Sequence, residues 1–473
     1  MNLQERAMKS PKRETMSEAL ANYVWRLHIS DLPEDVIERA EISIIDAMGC
    51  AFAGSKLQSS RIALNIYKKF SGDGKSTLWL NGKKGDLINT AWANCLLVHS
   101  ALQDDWQASV PNLGHMGCMI IPAAFAVAEM ENKAGAELIT AIVAAYEVAA
   151  RIASGSGPKI IGRGFRGSPV FGTFASAAAS GKLLGLSKKE LESAICCAAN
   201  FSGGILEPCN KGTMEWRFQN GNALRGGVLA ALLAREGLET ADTALEGEYG
   251  FFSAFGGKEL AAEMDRNMPD LLATLGKDYV IVKNTFKPFT TCGDNQSGVD
   301  IVTRLATKHD LAPKDIEGVR VEVSPANKAY PGIVNQGPFS SFDKAILSKP
   351  FSIGAAIKYR DLKVDTYLEN IGDPDIAELA KKVAIEAVPG MDLFDCRVEL
   401  TLKDGRKLKG DSKALDMLNY RLDKERCLEK FVKRSSSLLS KEEALKIGDS
   451  IFQLVQKPNL SEWASLLQRK ERL

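Results

Sequence analysis

Apolar and polar residues alternate at helical spacing over most of the first 275 positions. Asp31 is placed to cap a helix with Pro33 in its first turn. Val36, Ile37, Ala40, Ile44, Ile45 and Met48 follow on one face. A second amphipathic run covers Ala136 to Ala153. A third, Gly172 to Leu186, reads GTFASAAASGKLLGL, whose small residues let helices approach closely. Near residue 277 the period changes. YVIVK and GVRVEVS are β-branched runs on either side of a helical stretch from Asp294 to Thr307. CRVELTLKDGRKLKGD is two alternating runs about an Asp404-Gly405 turn, a hairpin signature. From Ser412 onward the chain is helical and charged again, with too few apolar residues for a core of its own. These patterns predict a mostly α protein. A large all-helical domain is built from residues 15–276 and 412–473, and a smaller α/β lid from 277–411. The first 15 or so residues read as a flexible arm.

Length agrees with more than one folding unit: 473 residues at roughly 100–200 per domain. Lys+Arg is 60 and Asp+Glu 59, which removes the global basic field that nucleic-acid binding needs. An anionic ligand must then be met by a local cluster. The nine cysteines are odd in number and form no CxxC. The four histidines have no zinc-ligand spacing, so no metal is expected. The N-terminus lacks an apolar signal core, and charges or Pro122 interrupt the most apolar stretches. A cytoplasmic protein without a membrane span is the expectation.

Four clusters carry possible chemistry. The first runs from His99-Ser-Ala-Leu-Gln to Asp104-Asp105-Trp-Gln, then Asn112-Leu-Gly-His115. Its paired carboxylates and histidine suit substrate binding or acid–base work; a capping Asp and a loop His are the plain alternative. The second joins Lys287 to Cys292 and Gln296 across a Pro-containing turn that feeds a helix. A cation and a helix N-terminus there favour a carboxylate, and the same helix start is expected to lower the Cys292 pKa. In the third, Arg217 lies between aromatics before a Gly-rich helix and suits bidentate carboxylate binding. The fourth, Gly162-Arg163-Gly-Phe-Arg166-Gly-Ser168-Pro, is a basic loop without a phosphate-loop pattern.

In this order the clusters resemble the MmgE/PrpD family, which contains 2-methylcitrate dehydratase, cis-aconitate decarboxylase and iminodisuccinate epimerase. The matching pieces span nearly the whole chain: LPEDVIERAEISIIDAMGCAFAGS, HSALQDDWQ with GHMGCMIIPAAFAVAE, YEVAARIA, GFRGSPVFGTFASAAASGKLLGL, the GTMEWRFQNGNALRGG region, and KPFTTCGDNQSGVD. The resemblance implies a homodimer whose interdomain cleft handles small polycarboxylates without a metal or organic cofactor. It implies a lyase that dehydrates a hydroxy acid, with decarboxylation or epimerisation as alternatives, through proton movement beside a carboxylate. A non-catalytic binder is the remaining possibility. By family position, His115 is the acid or base, Asp105 orients it or shares its work, and Lys287 and Cys292 complete the catalytic set. Asp104, Arg166, Arg217 and Gln296 are the substrate-binding candidates. Several polar family positions are changed, to Leu102, Trp106, Arg166, Trp216 and Gln219, which favours a non-standard substrate.

Overall fold

The computed structural model describes residues 14–107, 109–415 and 420–468. The N-terminal arm expected from sequence lies largely outside them. The described chain is mostly helical with one four-stranded sheet. Thr15 caps the first helix, Met16–Arg26, by accepting from the Glu18 amide. The helix after Pro33 runs Glu34–Gly54. Pro33 itself is its N-cap residue, and Asp31 instead accepts from the His28 amide one turn earlier, so the expected Asp31 cap is displaced upstream.

One hydrophobic cluster unites the helices from Met16 to Phe286 with the C-terminal helices from Leu422 to Leu467. Its centre is Gly135–Ala153, buried almost all round, as an apolar helix inside a bundle must be. The small-residue stretch forms Gly167–Leu183 and packs against Trp216–Arg235. A Cβ on Gly227 would lie 2.4 Å from the Thr173 carbonyl oxygen, so glycine sets this helix spacing. The C-terminal helix Lys424–Ser435 returns onto Glu34–Gly54. Phe431 meets Phe52 edge-on at 6.0 Å, while Lys430 and Arg434 both pair with buried Asp46.

A second cluster gathers residues from Cys292 to Leu402. Its sheet has the order Val383–Ala387, Ile316–Val323, Cys396–Leu402, Lys407–Asp411; the first pair is parallel and the others antiparallel. Gly405, at φ 87°, makes the hairpin turn. Alternate strand residues are buried under the helix Gln296–Lys308. The other face carries Arg320, Glu322, Arg397 and Glu399 as ion pairs. YVIVK is not a strand: Val280–Lys283 is a 3₁₀ turn, because Tyr279, Val280 and Ile281 bury into the helical cluster. Leu102, Leu206, Cys209 and Trp216 reach from the helical part into the second cluster. The cleft lies along that boundary. Among the described residues no helix is long and apolar enough to cross a membrane.

Candidate active site

A cavity of about 650 Å³ opens where the loop 101–116 faces the small lobe. The loop links two buried helices, Leu87–Ser100 and Gly117–Met130. Leu102 turns it with a φ of 49°, and its carbonyl accepts from Lys287 Nζ at 2.8 Å. Lys287 is fully buried, so burial lowers its pKa, against the raising effect of Asp104.

His115 lines the cavity. Its amide donates to Ser168 Oγ, and its Nδ1 donates to the Asp105 carbonyl at 2.8 Å. That bond leaves Nε2 bare, 3.4 Å from Lys287 Nζ. Burial, followed by the Lys287 charge, pushes the His115 pKa well below its usual value. The imidazole is therefore neutral, with its lone pair beside a cation.

Behind it runs a buried polar chain. Asp104 Oδ2 accepts from His99 Nδ1 at 2.9 Å and lies 3.5 Å from His115 Nδ1. His99 Nε2 in turn accepts from Arg166 Nη2 at 2.8 Å. His99 is thus neutral, and burial lowers its pKa to about 4 although Asp104 acts the other way. Burial raises the Asp104 carboxyl, but His99, His115 and Lys287 outweigh it and hold Asp104 well below the usual range. Its Oδ1 has no hydrogen-bond partner among the described residues. Arg166 precedes the helix Gly167–Leu183, lines the cavity, and gives Nη1 to the Trp216 carbonyl and Asn220 Oδ1.

His115, Asp104, Lys287 and Arg166 are thus brought together at one wall, and Cys292 lines the same cavity. Asp105 stands one layer back. It accepts from Tyr146, Asn284 and the Gly117 amide, and burial, reinforced by Asp104, raises its pKa to about 7. A Cβ on Gly117 would lie 2.5 Å from Asp105 Oδ1, so this glycine admits the carboxylate. Asp105 therefore positions His115 through its carbonyl.

Three sequence expectations are corrected. Arg217 is buried in the first turn of its helix but turned from the cavity. It pairs with Asp343 of the small lobe, donates to the Ser100 carbonyl, and stacks 3.9 Å from Trp216. Gln296 is spent on its own loop, bonding the Phe289 and Thr291 backbone. The Cys292 thiol is pushed up, not down: burial and the Asp294 charge exceed any helix-end effect, and Sγ donates to Asp294 Oδ2 at 3.3 Å. The carboxylate grip expected from several cations narrows to Arg166, with Lys287 behind His115.

The residue that sequence reasoning passed over is His99. Its signal was the five-residue spacing to Asp104 across a helix end. His99, Asp104 and Cys118 place donor atoms within 4.8 Å of one another, but Arg166 holds His99 Nε2 and Asn220 donates to Cys118 Sγ.

The pattern of the MmgE/PrpD N-terminal domain matches residues 18–263, and that of the MmgE/PrpD C-terminal domain matches 289–454. The chain belongs to the MmgE/PrpD family. Among curated MmgE/PrpD-like relatives it is similar to the cis-aconitate decarboxylase of Aspergillus terreus, 25% identical over 97% of each chain. It is also similar to the cis-aconitate decarboxylase-like protein oryM of Aspergillus oryzae, 25% identical over 95% of this chain and 96% of that one. The Homo sapiens cis-aconitate decarboxylase is 26% identical over 90% and 89%.

Proposed function

We propose that the chain is a lyase of a carboxylic acid, working by proton transfer at carbon beside a carboxylate without metal or organic cofactor. The observation that carries this is the bare Nε2 of neutral His115, 3.4 Å from Lys287 Nζ in the cavity that Arg166 lines. Removing a proton, or CO₂, next to a carboxylate builds negative charge on a group already anionic. Arg166 and Lys287 are fixed cations aimed at that charge in a water-poor site, where such groups act most strongly. His115 takes the proton on Nε2, and its Nδ1–H stays on the Asp105 carbonyl, so the ring need not turn.

The family resemblance puts dehydration first; the names of the similar proteins favour decarboxylation, in which the C–C bonding pair stays on the substrate and a proton delivered from Lys287 by way of His115 Nε2 quenches it. We take decarboxylation as the leading subtype. The small lobe closes the site as a lid, and the protein works as a homodimer in this reading. Incubating the protein with unsaturated and hydroxy acids in D₂O separates the subtypes by NMR. CO₂ release with deuterium on the product carbon marks decarboxylation, and water loss to an alkene marks dehydration. His115→Ala is expected to lower turnover by about 10²–10⁴ with the fold intact. Near-normal turnover of a well-folded variant removes His115 from the mechanism.

A further inference from the structure

The proton that passes between Lys287 and His115 meets a charge problem. At rest it sits on Lys287 Nζ, which donates to the Leu102 carbonyl and faces the bare His115 Nε2 at 3.4 Å. Delivery to a substrate carbon needs it on Nε2 first: an Nζ–H bond breaks, an Nε2–H bond forms, and the ring becomes an imidazolium. Burial disfavours that ion, and the nearby His99 and Arg166 act in the same direction. An anion close to the ring must offset them.

Asp104 is in place to do so. Its Oδ2 lies 3.5 Å from His115 Nδ1, the ring nitrogen that Lys287 does not face. The carboxylate is fully buried and accepts from His99, while its Oδ1 has no hydrogen-bond partner among the described residues. His99 also keeps Asp104 apart from Arg166. The neutral ring donates from Nδ1 to Asp104 and accepts at Nε2 from Arg166, so the opposite charges are linked without cancelling. Trp216 and His115 pack against the His99 ring, centres 5.1 and 5.0 Å away. The remaining titratable groups about the pair are Cys50, Cys292 and Asp294, on the Lys287 side. Burial raises both thiols and the Asp294 carboxyl. Asp105 turns its carboxyl one layer back, to Tyr146. Asp104 is the carboxyl held well below the usual range beside the ring.

We propose that Asp104 is a positioning residue that draws the proton from Lys287 onto His115, by holding a fixed negative charge against Nδ1 while Nε2 does the chemistry. This deepens the lyase reading and rests on it. The imidazolium protonates the substrate carbon from Nε2 and returns to the neutral ring. Lys287, left as a neutral amine, takes a proton from solvent when product leaves. An opposite charge this close moves a pKa by roughly 1–3 units. The same charge holds the proton on the pair as a whole, so Lys287 and His115 titrate together, with an alkaline midpoint that depends on Asp104.

The test is ¹⁵N NMR titration of the full chain, labelled at histidine and free of substrate, with His115→Asn for assignment. The His115 Nε2 resonance reports the ammonium beside it. Its alkaline midpoint is expected to fall by at least about one pH unit in Asp104→Asn. His99→Gln leaves the Asp104 charge in place and is expected to hold the midpoint within about 0.3 units. Asp104→Ser serves the same purpose if the asparagine variant does not fold. With an acid that the wild type turns over, Asp104→Asn is expected to lower kcat about thirtyfold and leave KM within about twofold. An unmoved midpoint in a folded Asp104 variant, an equal shift in His99→Gln, or a loss confined to KM overturns the proposal. Failure of the wild type to turn over any carboxylic acid would defeat the lyase reading while leaving the midpoint result standing, so the two failures are distinguishable.

Discussion

The segments Leu102–Gln103 and Lys287–Pro288 stand between two cavities, each with cations beside it. On the rear face, a cavity of about 500 Å³ holds Lys56, Lys363, Lys430, Lys433 and Arg434. Each has a carboxylate partner: Asp365 for Lys56, Asp361 for Lys363 and Lys433, and Asp46 for Lys430 and Arg434. On the front face, Arg166 and Lys287 form no ion pair with a carboxylate among the described residues. They donate to carbonyls, an amide oxygen and neutral imidazoles. Neutral acceptors fix a cation's position without cancelling its charge. The rear cations are therefore held in direct ion pairs and are structural, while the front cations, with the buried Asp104 carboxylate nearby but not in an ion pair with them, keep positive potential for a carboxylate that arrives.

Substitutions at the two faces should separate these roles. The largest effect is expected from Arg166→Gln, which loses the front charge and the His99 contact. The value of kcat/KM should fall about a hundredfold, with Tm reduced less than by a core truncation. Next comes Arg434→Met on the rear. Its guanidinium joins Asp46 to the Gln103 and Lys287 carbonyls, so denaturant titration should show a loss of roughly 3 kcal/mol. A front-face effect on stability without activity, or the reverse at the rear, breaks the comparison.

A smaller effect concerns pH. The Asp105 pKa rises from an ordinary 3.8 to about 7 in the folded chain, burial being the main cause. The native state then holds a proton that the unfolded state releases, so this group's stabilising contribution is complete below pH 3.8. It is lost as pH rises to about 7. Asp105→Asn should flatten the Tm profile across that window, and an unchanged slope would contradict the assignment. The smallest effect belongs to Lys56→Ala. That half-exposed pair with Asp365 should contribute no more than about 1 kcal/mol and leave kcat unchanged.

Much of the fold is written locally. The Asp404-Gly405 hairpin, the small-residue helix and the charged C-terminal helices all follow from spacing within one element. Lys287 and His115 were legible for the same reason: each stands in a short polar motif between apolar runs. What failed depends on distant partners. Nothing near Arg217 announces Asp343, 126 residues away in the small lobe. The β-branched run at 280–283 becomes a 3₁₀ turn because the helical cluster takes its side chains. The Cys292 thiol follows burial and Asp294 more than its helix end. Trp106 is visible as a residue, but its edge-on contact with Phe394, ring centres 4.2 Å apart, exists only once the two parts of the chain meet.

The central claim is that His115 stands neutral, with hydrogen on Nδ1 and a bare Nε2 toward Lys287. The chain has four histidines, so ¹⁵N NMR with His115→Asn for assignment reads this directly. At pH 7 His115 is expected to show one protonated and one bare ring nitrogen, with Nδ1 carrying the hydrogen. An imidazolium, or hydrogen on Nε2, would contradict the account.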